Sequence, residues 1–499
     1  MYNNHFAAVR QELSERNFTE GTTPSTQSCT VRLPGEPMGS PSKALNAKSY
    51  TQGEISANRK GVYFPQAPKE PPLSANKTPP CHGGVCSGND TQADSTKTKK
   101  FVAFKDKKAA CLKLCEFAAK TITLAALDID VEGGEMYDGP HMTEKMLERI
   151  KSCSSWVEFA TPEDFSKLKK IEGFVCKNAF CPVCAAYQSR RDGLKFSVMM
   201  DGMQAMKDVD VAKLYGEEVA SLPSVKKAMS EGVEFVMLTL SSPNPKGDKL
   251  KAEEKLYAKA FDKLIKNWVA RDYKDYYLGY ARKLEVTYNK QKLITQEMWD
   301  GTGKYRKPMK WNFRRMGLKV GDRNPSYDTY NPHYHVILAV TPDFFYIAEN
   351  GDECMKITPQ MWLAKWKELL GNADITELDA QRVYKKRGEG NSAVSEIAKY
   401  VAKDADMLHS PKVFKIFYES LKGVKRITFG GLFAEAHKLF KDGKLDRYIP
   451  IDETVYKWAV HYEWAKSNYF EKVRRELSPE EAAKIAGMKY SEANDTEDF

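Results

Sequence analysis

Apolar and polar positions repeat with a strand-like period in three stretches of the central chain. FVMLTL (235–240) is a β-rich apolar run that ends at the turn signal SSPNPKG. YARKLEVTY (280–288) alternates between polar and apolar residues, and HYHVILAV (333–340) is another run of strand-forming residues. The pattern predicts that these three stretches are strands.

Helical spacing marks the segments around these strands. In TPQMWLAKWKELLG, Thr358 stands at a cap, Pro359 in the first turn and Gly371 past the end. The predicted helices cover 106–125 in part, 252–270, 358–371, 391–405 and 478–487. Strands separated by helices and long connections predict an α+β fold.

Composition changes near residue 100. The first 100 residues are rich in Ser, Thr and Pro and show no sustained period, which predicts a disordered arm. Within it, Cys81, His82 and Cys86 are either a metal loop or unremarkable loop residues. The predicted organisation is an arm over 1–100, a helical lead-in over 101–150, a cysteine module over 151–230, a sheet domain over 231–430 and a helical C-terminal region over 431–499.

Charge and cysteine content narrow the class of protein. The chain of 499 residues has a formal net charge of +10, which favours a polyanionic partner. No apolar run reaches the roughly 18 residues of a membrane span, and the N-terminus lacks a signal-peptide pattern. We therefore expect a cytoplasmic protein with no membrane partner. In a reducing cytoplasm, the ten cysteines are expected to be thiols or metal ligands.

Four cysteines have the spacing of a zinc site. They are Cys153, Cys176, Cys181 and Cys184, in the pattern C-x22-C-x4-C-x2-C. Four thiolates make a closed tetrahedral site, so the predicted Zn²⁺ is structural, and four free thiols are the alternative. Arg190 and Arg191 follow directly, and we expect them to contact DNA. Cys111 and Cys115 have no predicted role.

Two histidines stand one residue apart in the third predicted strand. Because residues i and i+2 of a strand share a face, His333 and His335 project together. Glu285, on the polar face of the second predicted strand, would complete a set of two imidazoles and one carboxylate. Such a set suits Mn²⁺ or Mg²⁺ and leaves positions for phosphate oxygens. The alternative is a pair of ordinary strand histidines and a solvated glutamate.

The predicted helix over 391–405 carries a second candidate set. Glu396, Tyr400 and Lys403 lie opposite its apolar stripe, at positions i, i+4 and i+7. They form either a solvated face or a catalytic group in which Tyr400 is the nucleophile. Lys403 would then stabilise negative charge, and Glu396 would supply a carboxylate one turn away.

A basic insert separates the second and third predicted strands. Between Glu285 and His333 lie 47 residues, and residues 301–323 contain eight basic side chains against the single acid Asp322. The basic residues are Lys304, Arg306, Lys307, Lys310, Arg314, Arg315, Lys319 and Arg323. Because Trp311 and other aromatics are interleaved, we expect DNA contact, with a solvated surface loop as the alternative.

Five stretches together resemble one known family. FVMLTLSSPN, GYARKLEVTYN, TYNPHYHVIL, SEIAKYVAKD and KRITFGGLFAE look like the successive motifs of the plasmid rolling-circle replication initiators, the single-tyrosine Rep proteins of the HUH endonuclease superfamily. The resemblance covers residues 150–435 approximately. The long separation of Glu285 from His333 departs from the family's pattern.

The resemblance implies both a fold and a reaction. The fold is a HUH-type antiparallel sheet flanked by helices, in which His333, His335 and Glu285 hold Mn²⁺ or Mg²⁺. Tyr400 would nick one strand of the plasmid origin, leaving a 5′-phosphotyrosine and a 3′-hydroxyl primer. Glu396 would activate water for the terminating cleavage. A host helicase and a single-strand-binding protein are the implied protein partners.

Three other functions compete with this one. A relaxase or transposase of the same superfamily is disfavoured because the candidate residues lie centrally and late and no GxxxxGK[ST] loop occurs. A non-enzymatic, zinc-containing repressor would bind DNA without needing Tyr400. A scaffold protein would explain neither the cysteine spacing nor the order of the motifs.

Overall fold

The computed structural model describes residues 104–118, 142–303, 305, 307–376, 378–384, 394 and 403–487. Several predictions lie outside these residues. They are the arm over 1–100 with its CHGGVC loop, the catalytic candidates Glu396 and Tyr400, and the basic residues Lys304 and Arg306.

Two larger antiparallel sheets and one small hairpin form the strands of the described ranges. The strands are β1 (Trp156–Thr161), β2 (Lys169–Gly173), β3 (Glu234–Ser241), β4 (Tyr277–Asn289), β5 (Thr329–Val340), β6 (Phe345–Ile347), β7 (Glu353–Met355), β8 (Asp379–Arg382), β9 (Ile427–Gly431), β10 (Trp458–Ala465) and β11 (Asn468–Glu476). The central sheet has the order β8-β3-β5-β4-β9, and the second sheet has the order β11-β10-β1-β2. The three strands expected from the apolar pattern are β3, β4 and β5, and they are neighbours in the central sheet.

Helices of the described ranges lie on both faces of the central sheet, beside the second sheet and within the connection between β4 and β5. They are α1 (104–118), α2 (Glu144–Ser152), α3 (Pro182–Ala205), α4 (Val211–Tyr215), α5 (Glu217–Ser221), α6 (Pro223–Glu231), α7 (Gly247–Lys263), α8 (Gln296–Asp300), α9 (Lys310–Arg315), α10 (Pro359–Leu370), α11 (Asp404–Met407), α12 (Pro411–Leu421), α13 (Leu432–Lys441) and α14 (Pro479–Gly487). A π-helical segment, Leu264–Val269, extends α7. The predicted α+β class, with antiparallel sheets flanked by helices, is confirmed.

The helices of the described ranges are not membrane spans. None of them is both long enough and apolar enough to cross a bilayer.

One face of the central sheet is mainly apolar, with Arg282 of β4 lying over the rings of Phe261 and Tyr334. Val286 of β4 and Val336 of β5 point to this face and are fully buried. They belong to one buried cluster with Phe261 of α7, Trp362 of α10 and Phe417 of α12. These three helices cover the face and remove its apolar side chains from water.

The opposite face is apolar at one end of the strands and polar at the other. Ala281 of β4 and Ile337 of β5 are buried together with Met199 of α3 and Phe433 of α13. Further along the same face, the paired positions of β4 and β5 carry four polar side chains, Lys283, Glu285, His333 and His335. The change from apolar to polar residues marks the end of the sheet where chemistry is expected.

The capping signals in the sequence explain where two helices begin. Thr358 Oγ1 accepts a hydrogen bond from the backbone N–H of Met361 at 3.3 Å, and Gly371 closes α10 with a left-handed φ of 61°. At α14, Ser478 and Glu481 each accept a hydrogen bond from the other's backbone N–H group. This reciprocal arrangement is a capping box, which satisfies two N–H groups that the helix leaves free.

The prediction of a helical region over 431–499 is wrong for its middle part. Residues 458–476 form the hairpin β10–β11, which pairs with β1 in the second sheet. Its turn residues, Lys466 and Ser467, have φ of 47° and 59°, as a type I′ turn requires. Neither is the Gly or Asn that marks such turns, so the sequence carried no turn signal at this point.

Glu254 of α7 is buried without a compensating partner. It is 5% exposed, and neither carboxylate oxygen accepts a hydrogen bond from any residue that the structure describes. Burial raises the pKa of Glu254 to about 8, and Lys251 offsets the rise only in part. Glu254 therefore holds a proton in the folded chain at pH values at which it is ionised in the unfolded chain.

This burial predicts a pH-dependent loss of stability. The pKa of Glu254 is about 8 in the folded chain and has its ordinary value of 4.5 in the unfolded chain, so between these two pH values the folded state binds more protons than the unfolded state. The free energy of unfolding therefore falls as the pH rises from 4.5 through about 8. We expect Glu254→Gln to be more stable than the wild type at high pH, by on the order of 3 kcal/mol, with a much smaller difference at pH values near 5. Urea denaturation at both pH values measures this.

The neighbouring, less buried Glu253 provides the matched control. Glu253→Gln should show no such change with pH. An equal stability difference between Glu254→Gln and the wild type at both pH values would contradict the expectation.

Candidate active site

The register of β4 and β5 brings Glu285, His333 and His335 together. Glu285 lies directly across from His333, and Lys283 lies across from His335. The ligand atoms of the two histidines and the glutamate all lie within 4.8 Å of one another. Glu285 Oε2 is 3.0 Å from Nε2 of His335 and 3.5 Å from Nε2 of His333. We call these three residues the triad.

The hydrogen bonding of His333 leaves a lone pair directed at Glu285. Its Nδ1 lies 3.0 Å from the carbonyl oxygen of Asn331, an acceptor, so Nδ1 carries the proton of the neutral ring. Nε2 of that ring is then a second acceptor, 3.5 Å from a carboxylate oxygen. Two acceptors at this distance repel each other unless a proton or a metal cation lies between them.

The triad fits a divalent cation by donor type and by spacing. Two donor atoms that bind one ion at about 2.1 Å and at right angles lie about 3.0 Å apart. The two separations from Glu285 Oε2, 3.0 Å and 3.5 Å, are close to this value. Imidazole and carboxylate together suit Mn²⁺ or Mg²⁺, and three protein ligands leave positions open.

The triad is largely buried and negatively charged at Glu285. Glu285 and His335 are 3% and 4% exposed, whereas His333 is partly open to solvent. Burial by itself would raise the pKa of Glu285, but His333 and His335 in their protonated form hydrogen-bond to the carboxylate and attract its charge, which outweighs burial and lowers that pKa well below its usual range. The carboxylate is therefore ionised and available as a ligand.

Two described residues on either side of Tyr400 lie on the face of the sheet that carries the triad. The Lys403 ammonium is 3.9 Å from Glu285 Oε1, and its side chain is 55% exposed. Val394 packs against the apolar cluster of that face, which includes Ile337 and Phe433. Glu396 and Tyr400 themselves lie outside the described residues.

An ion pair that the sequence did not indicate lies beside the triad. Lys283 Nζ is 3.2 Å from Oδ2 of Asp192 on α3, and both side chains are almost fully buried. Lys195 Nζ lies 3.3 Å from Oδ1 of Asp192, and Gln188 donates a hydrogen bond to the same oxygen at 3.0 Å. Nothing in the local sequence pairs residues that are 91 positions apart, so only the fold could reveal this contact.

The four predicted zinc ligands converge in the interior. Cys153, Cys176, Cys181 and Cys184 are all buried, and their sulfur atoms lie within 4.8 Å of one another. Cys184 Sγ is 3.6 Å from Cys153 Sγ and 3.5 Å from Cys176 Sγ. Thiolates at about 2.3 Å from a tetrahedral zinc ion would lie about 3.8 Å apart. The four cysteines therefore fit Zn²⁺, and we call them the cysteine cluster.

Two lysines beside the cysteine cluster fit the charge of a four-thiolate zinc site. Lys108 is 1% exposed, and its ammonium donates to the carbonyl oxygens of Lys151 and Cys153, each at 2.6 Å. Burial lowers the pKa of Lys170 to about 8, while the charges of Cys153 and Cys184 act in the opposite direction. Zn²⁺ with four thiolates has a charge of about −2, and two ammonium groups would balance it.

A fifth thiol adjoins the cysteine cluster. Cys111 of α1 is fully buried, and its sulfur lies 3.3 Å from Cys181 Sγ. The sequence assigned it no role because it lies 70 residues from Cys181.

The predicted DNA-contacting residues fall in two places. Arg190 and Arg191 lie on α3, where Arg190 is exposed and Arg191 is half-buried. Lys307, Lys310, Trp311, Arg314 and Arg315 belong to the insert between β4 and β5, and Trp311 is 63% exposed.

The fold and the triad define an α+β protein with a candidate metal centre built from two histidines and one glutamate. A family model described as "Replication protein" matches residues 210–470, which include the triad and Lys403. The cysteine cluster precedes the matched residues. This chain belongs to the Rep family of plasmid replication initiators.

Curated relatives agree with this family. A "Protein rep" of Staphylococcus aureus is 30% identical over 268 residues, which is 54% of this chain and 86% of the relative. A "Protein rep" of Lentilactobacillus hilgardii is 25% identical over 65% of this chain and 88% of the relative. A "Protein rep" of Streptococcus pneumoniae is 24% identical over 59% of this chain and 72% of the relative. No solved structure matches the chain.

The buried ion pair predicts a large and specific stability effect. We expect Asp192→Asn to destabilise the protein by about 3 kcal/mol, because it leaves the buried Lys283 ammonium without its carboxylate partner. The double variant Asp192→Asn with Lys283→Met should regain much of this loss, since neither charge remains buried. Urea denaturation followed by circular dichroism measures both.

An exposed pair serves as the control. Glu435→Gln breaks the contact with Lys438, whose side chain is 70% exposed, and should change stability by less than about 0.5 kcal/mol. If Asp192→Asn were as stable as Glu435→Gln, the ion pair would not contribute as described.

Proposed function

We propose that this protein initiates rolling-circle replication of a plasmid by nicking one strand of the double-strand origin with Tyr400. The observation that carries the proposal is the convergence of Glu285, His333 and His335 on adjacent strands, beside Lys403, in a chain of the Rep family. A second cleavage and rejoining would then end the round of replication. Plasmid origin DNA is the substrate.

The first step is a transesterification at one phosphodiester. The phenol oxygen of Tyr400 loses its proton and forms a bond to phosphorus, while the bond from phosphorus to the 3′-oxygen breaks. The 3′-oxygen takes up a proton and becomes the hydroxyl that primes synthesis. The 5′ end of the cut strand remains attached to the protein as a phosphotyrosine, so no water and no nucleotide cofactor is consumed.

The position of Lys403 supports this role for Tyr400. Three residues of chain reach at most about 10 Å, and Lys403 lies 3.9 Å from Glu285. An ammonium so close to the triad would stabilise the charge on the phosphate and, because only two residues separate it from Tyr400 in the chain, the phenolate of Tyr400 as well. Its 55% exposure leaves it accessible to a DNA strand.

The triad would hold Mn²⁺ or Mg²⁺ through Nε2 of both histidines and the carboxylate of Glu285. A bound divalent ion supplies a Lewis acid that polarises a phosphate oxygen. The backbone carbonyl of Asn331 fixes the ring of His333 so that Nε2 faces the triad.

Glu396 would act in the terminating cleavage. It lies four residues before Tyr400, a spacing of one helical turn. As a carboxylate it would accept a proton from the water that attacks the second phosphodiester. The single candidate tyrosine would then need to act only once in each round.

The cysteine cluster would hold a structural Zn²⁺, because four thiolates leave no coordination position for a substrate. Its position at the start of α3, which also carries Asp192, would keep that helix in register with β4. Arg190 and Arg191, on the same helix, would contact origin DNA.

The nicking reaction tests the proposal directly. Supercoiled plasmid with the cognate origin is incubated with Mn²⁺ or Mg²⁺ and then run on denaturing gels to detect a covalent protein–DNA adduct. We expect the wild type to nick and to form the adduct, and Tyr400→Phe to lose both, because phenylalanine has no nucleophilic oxygen. His335→Ala should bind the origin but nick at least about a hundredfold more slowly.

Tyr384→Phe is the control, since Tyr384 is an exposed tyrosine outside the triad and should leave nicking unchanged. Tight origin binding without nicking by the wild type would refute the proposal and favour a zinc-containing repressor.

The zinc assignment has a separate test. Protein purified without chelators should contain one zinc ion per chain by elemental analysis. The Cys176→Ser variant should lose the metal, and its free energy of unfolding should fall by several kcal/mol. Cys115→Ser is the matched control, because Cys115 is half-buried and lies outside the cysteine cluster. Zinc retained in full by Cys176→Ser, or lost equally from both variants, would count against the site.

A further inference from the structure

The insert between β4 and β5, residues 290–328, folds around a small core of its own. Ile294, Met298 and Phe313 form a separate buried cluster within it. The Trp299 ring stacks on Phe313 with centroids 6.3 Å apart. A backbone bridge between Leu293 and Arg323 closes the base of the insert. The insert is therefore a folded module rather than a solvated loop.

The surface of this module is basic and carries an exposed aromatic ring. Trp311 is 63% exposed, and the Arg314 guanidinium lies 5.3 Å from its ring and 5.4 Å from the ring of Trp299. No carboxylate of the described residues forms a salt bridge with any of the six basic side chains of this surface. These are Lys307, Lys310, Arg314, Arg315, Lys319 and Arg323.

The module stands at the end of the sheet that carries the triad. The β4–β5 ladder runs without interruption from the pair Glu285–His333 to the pair Asn289–Thr329, where the insert begins and ends. Four residues of strand span about 14 Å. The Lys290 ammonium also lies 3.7 Å from Oδ1 of Asp406, three residues beyond Lys403. The base of the module is thus held beside the segment that follows Tyr400.

We propose that this module binds unpaired DNA a few nucleotides from the phosphodiester to be cut. Trp311 stacks on a base, the Arg314 guanidinium lies over the Trp311 ring, and the other basic side chains of the module contact phosphates. The proposal rests on the proposed function for the identity of the DNA, but the binding surface itself is independent of cleavage.

Single-stranded DNA suits this surface better than the alternatives. A flat ring standing out of a basic surface offers a base a stacking partner, and a base inside a duplex cannot use it without unstacking. The core of a protein–protein interface is depleted of charged residues, whereas the module that carries Trp311 has six basic side chains on its surface. The same cations would repel a second copy of the module.

The first experiment measures binding of the full chain to oligothymidylate by fluorescence anisotropy. All proteins carry Tyr400→Phe, so that no strand is cut during the measurement. We expect Trp311→Ala to raise the Kd for a single strand of about 16 nucleotides at least fivefold, and Trp311→Phe to lose less because it keeps an aromatic face. Phe470→Ala removes a 43% exposed aromatic ring from β11 and is the matched control, with unchanged Kd.

The second experiment measures the salt dependence of the same binding. Lys307→Gln with Lys310→Gln should lower the slope of log K against log salt by about 0.7 for each lost phosphate contact. Because both side chains are on the surface of the module, folding should be unaffected, and a thermal melt checks this. This variant keeps the proposal testable should Trp311→Ala perturb the module.

Two results would overturn the inference. One is an unchanged Kd for single strands in both the Trp311→Ala and the double lysine variants. The other is an equal loss of affinity for a blunt duplex, which would identify a surface for duplex phosphates. Nicking is assayed separately in proteins that retain Tyr400. Normal nicking with Trp311-independent binding would defeat this inference alone, and Trp311-dependent binding by a protein that never nicks would defeat the proposed function alone.

Discussion

The buried ion pair between Asp192 and Lys283 connects the helix that starts at the cysteine cluster to the strand that carries Glu285 of the triad. Lys283 lies across from His335 in the β4–β5 ladder, so its ammonium shares the face of the triad. Asp192 belongs to α3, which starts at the cysteine cluster and has Cys184 in its first turn. Eight residues of helix separate Cys184 from Asp192, a distance of about 12 Å. A rigid helix thereby connects the proposed zinc site to the proposed catalytic face.

Arg426 makes a second connection between the same two regions. Its guanidinium donates a hydrogen bond to the carbonyl oxygen of Ala179, within the loop between Cys176 and Cys181, at 2.9 Å. Its own carbonyl oxygen accepts from the N–H of Leu284, next to Glu285. Burial lowers the pKa of Arg426 to about 10, and the charge of Asp192 opposes that shift. The Asp192 carboxylate thus lies among Lys195, Lys283 and Arg426 close to the triad, and this surplus of positive charge would suit the phosphodiester proposed as substrate.

The sequence predicted the parts of this structure that depend on local pattern. The pattern of apolar and polar residues predicted strands β4 and β5. The rule that residues i and i+2 share a face placed His333 and His335 together, with Glu285 on the neighbouring strand. Capping residues located the ends of α10. Contacts between distant segments were not accessible in this way, since neither Asp192 nor Cys111 carries a local signal for its partner. The β10–β11 hairpin was missed because its turn is formed by Lys466 and Ser467, residues that seldom adopt positive φ.

The two candidate metal sites differ in how many coordination positions their protein ligands leave open, and this difference supports the roles proposed for them. The cysteine cluster offers four buried sulfur atoms, so an ion held there would be closed to substrate. The triad offers three ligands, and the partly exposed His333 and the exposed Lys403 mark the side from which a phosphate oxygen would approach an ion held there. The proposed structural and chemical roles therefore lie at different places in the fold, and α3 links them through the contact of Asp192 with Lys283. A change at the cysteine cluster would reach the triad through Asp192 and Lys283, as a displacement of β4 together with Glu285, which that strand carries.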